Sequence, residues 1–178
     1  KDYKFTAINL LKGGYKILFE NHNIIDMMPH TFQYISKYHF KTGICKDYFT
    51  VKHLNFSKTN ALVTAHPLRG LDWLIDLWCD FIHIKVPWAE LHIYSNLLNK
   101  NKLHENIKIS NLQLKIFSKK NTGIIVKKPV AQNKFLKLLP NYQVHLNPSI
   151  SNESQFTTIL ESQASGIPVV SRINNSIY

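Results

Sequence analysis

Val144-His145-Leu146-Asn147-Pro148-Ser149-Ile150-Ser151-Asn152-Glu153, then Phe156 to Gly166, then Ile167-Pro168-Val169-Val170, reads as strand, loop, helix and strand. Val144 and Leu146 make the first strand apolar, and Ile167, Val169 and Val170 make the second. Short connections between a strand, a helix and another strand are the unit from which parallel sheets are built. In such a sheet the helix begins at the carboxyl edge of the strands. Its first N–H groups are unpaired there, and its dipole favours negative charge. Two carboxylates, Glu153 and Glu161, bracket this helix start at a spacing of E-x7-E. A carboxylate repels phosphate, so both are expected to accept hydrogen bonds from neutral hydroxyls instead. Eight helical steps rise roughly 12 Å, comparable to the reach from a ribose to a sugar across a diphosphate. A ligand with an anionic middle and hydroxyls at both ends fits this spacing, as a sugar nucleotide does.

Working back from that stretch, the same alternation recurs. Gln132 to Leu139 is predicted as a helix stopped by Pro140, and Gly123 to Val126 as a strand. Asn96 to Lys120 is polar and lysine-rich, with room for one or two exposed helices, and Ala89 to Tyr94 reads as a strand. Leu71, Leu74, Ile75, Trp78, Phe81 and Ile82 follow the helical period, predicting a helix over 71–84 ended by Pro87. Ala61 to Thr64 is a short buried strand, and His66 to Gly70 the loop between. The expected fold class is therefore α/β, a Rossmann-like parallel sheet with helices on both faces from about residue 60 onward. Upstream the pattern is weaker. Phe5 to Leu11 and Tyr15 to Phe19 read as strands about a Gly13-Gly14 turn, Pro29 to His39 has a helical look, and 52–60 reads as a connector.

Composition sets the class. The chain has 178 residues, 44% hydrophobic and 19% charged, as expected of a globular protein. It contains no apolar run of about eighteen residues, the length needed to span a bilayer. Net charge is +11 and the pI about 9.6. Of 22 basic residues only Arg69 and Arg172 are arginine. Readers of nucleic acid lean on arginine for bidentate contacts, and the lysines of 100–120 have only Phe117 among them as an aromatic. No nucleic-acid partner is expected; the lysine skew fits a general compositional or solubility effect, and phosphate groups or an anionic membrane surface also suit the charge. Cys45 and Cys79 have no CxxC partner, and Cys79 beside Trp78 fits a core position, so a reducing cytoplasmic setting is expected. Trp73, Trp78 and Trp88 are expected to pack in the core, and His92 and His145 to be strand residues in the core or at its edge.

With these residues assembled, the segments RGLDWLIDLW (69–78), VPWAELHIYS (86–95), VHLNPS (144–149) and E-x7-E with LESQASGIPVV (160–170) resemble the C-terminal domain of group 1 (family 4) retaining glycosyltransferases. The resemblance covers about two-thirds of the chain. It implies a GT-B fold of two Rossmann-type domains facing across a cleft. Residues 1–52 would be the end of the N-terminal domain and the linker, and 53–178 the nucleotide-sugar-binding domain, truncated at its C-terminus. The donor would be a nucleoside-diphosphate sugar. The acceptor, a glycan or lipid-linked molecule, would be held by the N-terminal domain, with peripheral contact to the inner face of a membrane.

The resemblance also assigns roles. Glu153 would contact the donor sugar, and Glu161 the ribose hydroxyls. Arg69 stands where a basic residue neutralises the diphosphate, stabilising charge on the leaving group as the glycosidic bond breaks. Members usually carry a further arginine after the first strand. Here that loop reads Thr64-Ala65-His66-Pro67-Leu68, which leaves His66 as the candidate donor. Lys127 and Lys128 stand where a glycine is usual and are candidates for phosphate. Ser149 and Asn152 line the loop before the helix as candidate sugar contacts or turn formers. No Asp-x-Asp motif is present, so neither metal nor cofactor is expected. A GT-B sugar-nucleotide epimerase and a non-catalytic basic module binding phosphate or RNA are the alternative readings.

Overall fold

The structure, a computed structural model, describes residues 9–19, 28–40, 43–51, 59–149 and 157–172. The chain divides into two compact units, 1–43 and 44–178. The second therefore takes in residues 44–51, which the sequence reading placed before the boundary at 52.

In the first unit, strands β1 (Ile17–Phe19) and β2 (Lys37–His39) pair in parallel. Phe32 and Ile35 are buried, with Leu10, Ile17 and Met28 packed against them. Two expectations fail here. Residues 9–11 belong to a helical turn rather than a strand, and within Pro29 to His39 only a 3-10 turn at His30–Phe32 is helical before the chain extends into β2. Elements of three residues are too short for a hydrophobic period to declare itself. The rest of the expected first strand, residues 5–8, lies outside the described residues.

The second unit is built on five strands: β3 (Asn60–Val63), β4 (Glu90–Tyr94), β5 (Ile124–Lys127), β6 (Val144–Asn147) and β7 (Val169–Ser171). They lie in the order β5-β4-β3-β6-β7, all parallel. The central strands are covered on both faces, which is why they read as near-continuous apolar runs. Helix α1 (Leu71–Leu77) continues through a wide turn at Trp78–Ile82 to Lys85, and with α2 (Ile107–Ser118) it covers one face. Leu71, Leu74, Ile75 and Trp78 of α1 pack there on Val63, Leu91 and Ile93. Helix α3 (Gln132–Leu138) with the turn at Leu139–Asn141 and helix α4 (Thr157–Ala164) cover the other face, around Leu62, Tyr94, Tyr142 and Ile167.

Locally the elements follow their residues. Asn106 caps α2, its side chain accepting from the N–H groups of Lys108 and Ile109. Lys115 ties α2 to α1 through Asp72 at 2.6 Å and Asp76 at 2.7 Å. Burial opposes its charge, but the two carboxylates win and raise its pKa. The wide turn in α1 shifts the helical phase. Cys79 is buried as expected, whereas Phe81, expected on the core face, is 62% exposed. Trp78 is buried and donates its indole N–H to the Thr122 carbonyl at 2.8 Å. Trp73 and Trp88 are not core residues: they are 39% and 69% exposed.

Candidate functional site

The strand order reverses direction between β3 and β6. A chain that winds first one way and then the other from two adjacent strands leaves a crevice at their carboxyl ends, because the two following loops part to opposite faces. Here those loops are 64–70 and the segment beginning at Pro148. Gly70 shows how closely they meet. Its φ is +84°, and a Cβ added to it would run into the carbonyl oxygen of Pro148. Glycine is required there twice over, for the left-handed backbone and for the close approach. Arg69, immediately before it, is half-buried, with its N–H bonded to the His66 carbonyl at 2.9 Å. His66 is exposed, and its Nδ1 accepts from the Leu68 N–H at 3.2 Å. Ser149 is half-buried across the crevice, its N–H directed at Asn147 Oδ1 at 3.4 Å. Arg69, His66 and Ser149 are thus brought to the switch point. Glu153 and Asn152 lie outside the described residues.

A buried polar chain fixes α4 against both strands of the crevice. His145 on β6 is 1% exposed. Its Nδ1 is 2.9 Å from Ser162 Oγ, and its Nε2 is 3.1 Å from Thr64 Oγ1. Thr64 Oγ1 donates in turn to Thr158 Oγ1 at 3.1 Å. That direction makes Thr64 the acceptor from Nε2–H and leaves Nδ1 to accept from Ser162, a neutral imidazole throughout. Burial lowers the His145 pKa to about 4.

Glu161 is a buried residue of α4. It is 5% exposed. Its Oε1 accepts from Gln132 Nε2, at the start of α3, at 2.8 Å. Tyr48, from the 3-10 turn at Lys46–Thr50, is 2% exposed and faces the carboxylate. Burial first, and then Glu161, push the phenol up to about 12. The Tyr48 hydroxyl completes no hydrogen bond of normal geometry.

Lys127 ends β5, the edge strand, and Lys128 follows it, two strands away from β3 and so roughly 10 Å from the switch. Lys128 is exposed. Lys127 turns onto the α3 face, its Nζ 2.9 Å from His92 Nδ1. Since lysine only donates, Nδ1 accepts, and Nε2–H donates to Glu90 Oε2 at 2.8 Å. The hydroxyls of Tyr142 and Tyr94 extend the cluster, each contact 2.9 Å. Burial holds the Lys127 amine below its ordinary pKa, with Glu90 opposing. Among the described residues no His, Cys, Asp and Glu group is arranged to hold a metal ion.

Arg172 was singled out by composition alone and given no place at the site. It follows β7, its backbone N–H donating to the Asn147 carbonyl at 3.1 Å. Its guanidinium lies 4.6 Å from the ring centre of Trp73, in the first turn of α1. The side chain therefore reaches past the end of β6 to α1, a juxtaposition of residues far apart in sequence that no local motif announces.

No protein-family model matches the chain, and no curated protein matches it by sequence. Solved structures do match by shape. TarM superposes with a TM-score of 0.64 at 16% identity, over 99% of this chain and 33% of its own. A glycosyltransferase from Rickettsia africae ESF-5 gives 0.66 at 14% identity, over 99% of this chain and 49% of its own. The C-terminal domain of a glycosyl transferase group 1 family protein (LpcC) from Francisella tularensis gives 0.50 at 14% identity, over 72% of this chain and 70% of its own. The chain thus spans a third to a half of the length of the first two. Together with the five-stranded parallel sheet and its two helical faces, these likenesses establish a Rossmann-like α/β fold of the kind found in GT-B glycosyltransferases.

Proposed function

We propose that this chain is the donor-binding part of a retaining glycosyltransferase and holds a nucleoside-diphosphate sugar at the β3/β6 switch point. The observation that carries the reading is the meeting of the Arg69 loop and the Pro148 segment at the reversal of strand order, sealed by Gly70 against the Pro148 carbonyl. The diphosphate would lie across this crevice, its charge met by Arg69 and the backbone N–H groups around the helix starts, with His66 a further donor. Glu161 would accept from the ribose hydroxyls. Glu153, with Ser149 and Asn152, would contact the donor sugar. In this reading arginine and backbone donors, rather than a metal, stabilise the leaving diphosphate. Lys127 is held by His92 on another part of the sheet edge, so its role and that of Lys128 would be electrostatic attraction.

The acceptor would be a glycan or lipid-linked molecule positioned by the remainder of a two-domain cleft. A peripheral membrane contact is supported by α2. Ile107, Leu114 and Phe117, one per turn or two, form an exposed apolar stripe with Leu103. Lys100, Lys102, Lys108 and Lys120 surround it, Lys120 lying 4.0 Å over the Phe117 ring, with Glu105 the nearby acid. Apolar residues ringed by lysine suit the surface of an anionic bilayer. Among the described residues no helix is long and apolar enough to cross one.

Calorimetric titration of the chain with UDP, GDP and ADP tests the donor reading. One of them should bind, more weakly as salt rises. Glu161→Ala should weaken the free nucleoside diphosphate, whereas Glu153→Ala should spare it and weaken only the sugar-bearing donor. Equal effects of the two changes on the free diphosphate would show that the roles are misassigned.

A further inference from the structure

We propose that Arg172 is a second cation for the anionic group of the ligand, held in position by its stack on Trp73. This rests on the nucleoside-diphosphate reading of the same crevice. The chain has 22 basic residues and only two arginines, Arg69 and Arg172. The fold brings both to the beginning of α1: Arg69 stands two residues before it, and the Arg172 guanidinium lies over the ring of a residue in its first turn. The two follow β3 and β7, and the strand between these in the sheet is β6.

The chemistry of the stack matters more than its strength. A guanidinium over an indole face keeps its full charge, and donors not turned to the ring stay open to an anion. Among the described residues Arg172 forms no ion pair with a carboxylate. The cation is thus fixed by a neutral ring that does not discharge it. The planar fork of a guanidinium suits bidentate capture of a phosphate. The 64–68 loop, Thr-Ala-His-Pro-Leu, contains no arginine or lysine, so Arg172 would supply charge that this loop does not. Trp73, 39% exposed, would then be a positioning residue acting through Arg172.

A stack of this kind also fastens β7 to α1, and a purely structural fastening would affect stability rather than affinity. The full chain and its Arg172→Gln, Arg172→Lys and Trp73→Leu variants are titrated by calorimetry with UDP, GDP, ADP, the matching nucleosides and inorganic pyrophosphate, and melted in parallel. Arg172→Gln should weaken the bound diphosphate about tenfold or more, flatten its salt dependence and leave nucleoside affinity unchanged. Arg172→Lys should recover part of the loss, since it keeps the charge without the fork. Trp73→Leu should weaken the diphosphate less than Arg172→Gln does. Unchanged diphosphate affinity with a lowered melting temperature would reduce Arg172 to a fastening and overturn the proposal. If the parent chain binds pyrophosphate but no nucleotide, the donor reading fails and the loss of pyrophosphate in Arg172→Gln still supports the cation site. A chain that binds neither overturns both.

Discussion

Lowering the pH should loosen the second unit through a single imidazole. His145 is 1% exposed, donates to Thr64 and accepts from Ser162, and its folded pKa is lowered to about 4 from the usual 6.5. Above pH 6.5 the ring is neutral in both folded and unfolded chains, so it adds no pH dependence. Between 6.5 and about 4 the unfolded chain takes up a proton that the folded one refuses, and stability falls with pH. Linkage over that window gives a loss of about 2 kcal/mol between pH 7.5 and pH 5, and about 3 kcal/mol at pH 4. Urea unfolding followed by tryptophan fluorescence at these pH values measures it, with His145→Gln as the control. The variant removes the titrating group, so the wild-type loss should exceed the variant's by about 2 kcal/mol at pH 5. Other histidines and carboxylates contribute to both curves and cancel in the difference. Parallel curves for the two proteins, or a His145 resonance titrating near pH 6.5 in the folded chain, would refute the reasoning.

Gly70→Ala should destabilise by about 2–4 kcal/mol, from left-handed backbone strain together with the collision at the Pro148 carbonyl. Thermal melting checks it, and a midpoint within about 1 °C of the parent would mean the two loops can part freely. The stripe on α2 should bind vesicles of phosphatidylglycerol but not of phosphatidylcholine alone. In a sedimentation assay Leu114→Ser with Phe117→Ser should abolish pelleting, and pelleting that survives the double change would move the contact elsewhere.

The parts of the fold legible in the sequence are those buried on two sides. β3 and β4 read as apolar runs, and Leu71, Leu74, Ile75 and Trp78 kept the helical period, because the sheet and α2 leave those residues no exposed alternative. The reading faltered where burial is partial. β2 has three residues, none of them buried, and carries no period to detect. Trp73 and Trp88 read as core from apolar periodicity or a place capping a loop, yet a large apolar side chain on a surface is common and only its neighbours show what it does. At the site, the Arg69-Gly70 junction is legible as a loop ahead of a helix, and the structure sets it against Pro148. Partners across the fold stayed hidden. Tyr48 beside Glu161, Thr64 beneath His145 and Trp73 under Arg172 are each brought together by strand pairing and helix docking rather than by proximity in sequence.

That separation has a consequence for how the chain acquires its shape. β3 gains β4 as a neighbour after one helical crossover, but its pairing with β6 closes a span in which Thr64 and His145 stand 81 residues apart. Ring closure of that length costs more entropy than the local crossover and is rewarded only when β6 arrives. During synthesis, β3, β4 and β5 with α1 and α2 can collapse first, while one flank of β3 waits uncovered. The seam between β3 and β6 is therefore expected to close after those joining β3, β4 and β5. Pulse-labelled hydrogen exchange on refolding should show amides of β4 protected before those of β6, and the opposite order would mean that the distal pairing nucleates the sheet.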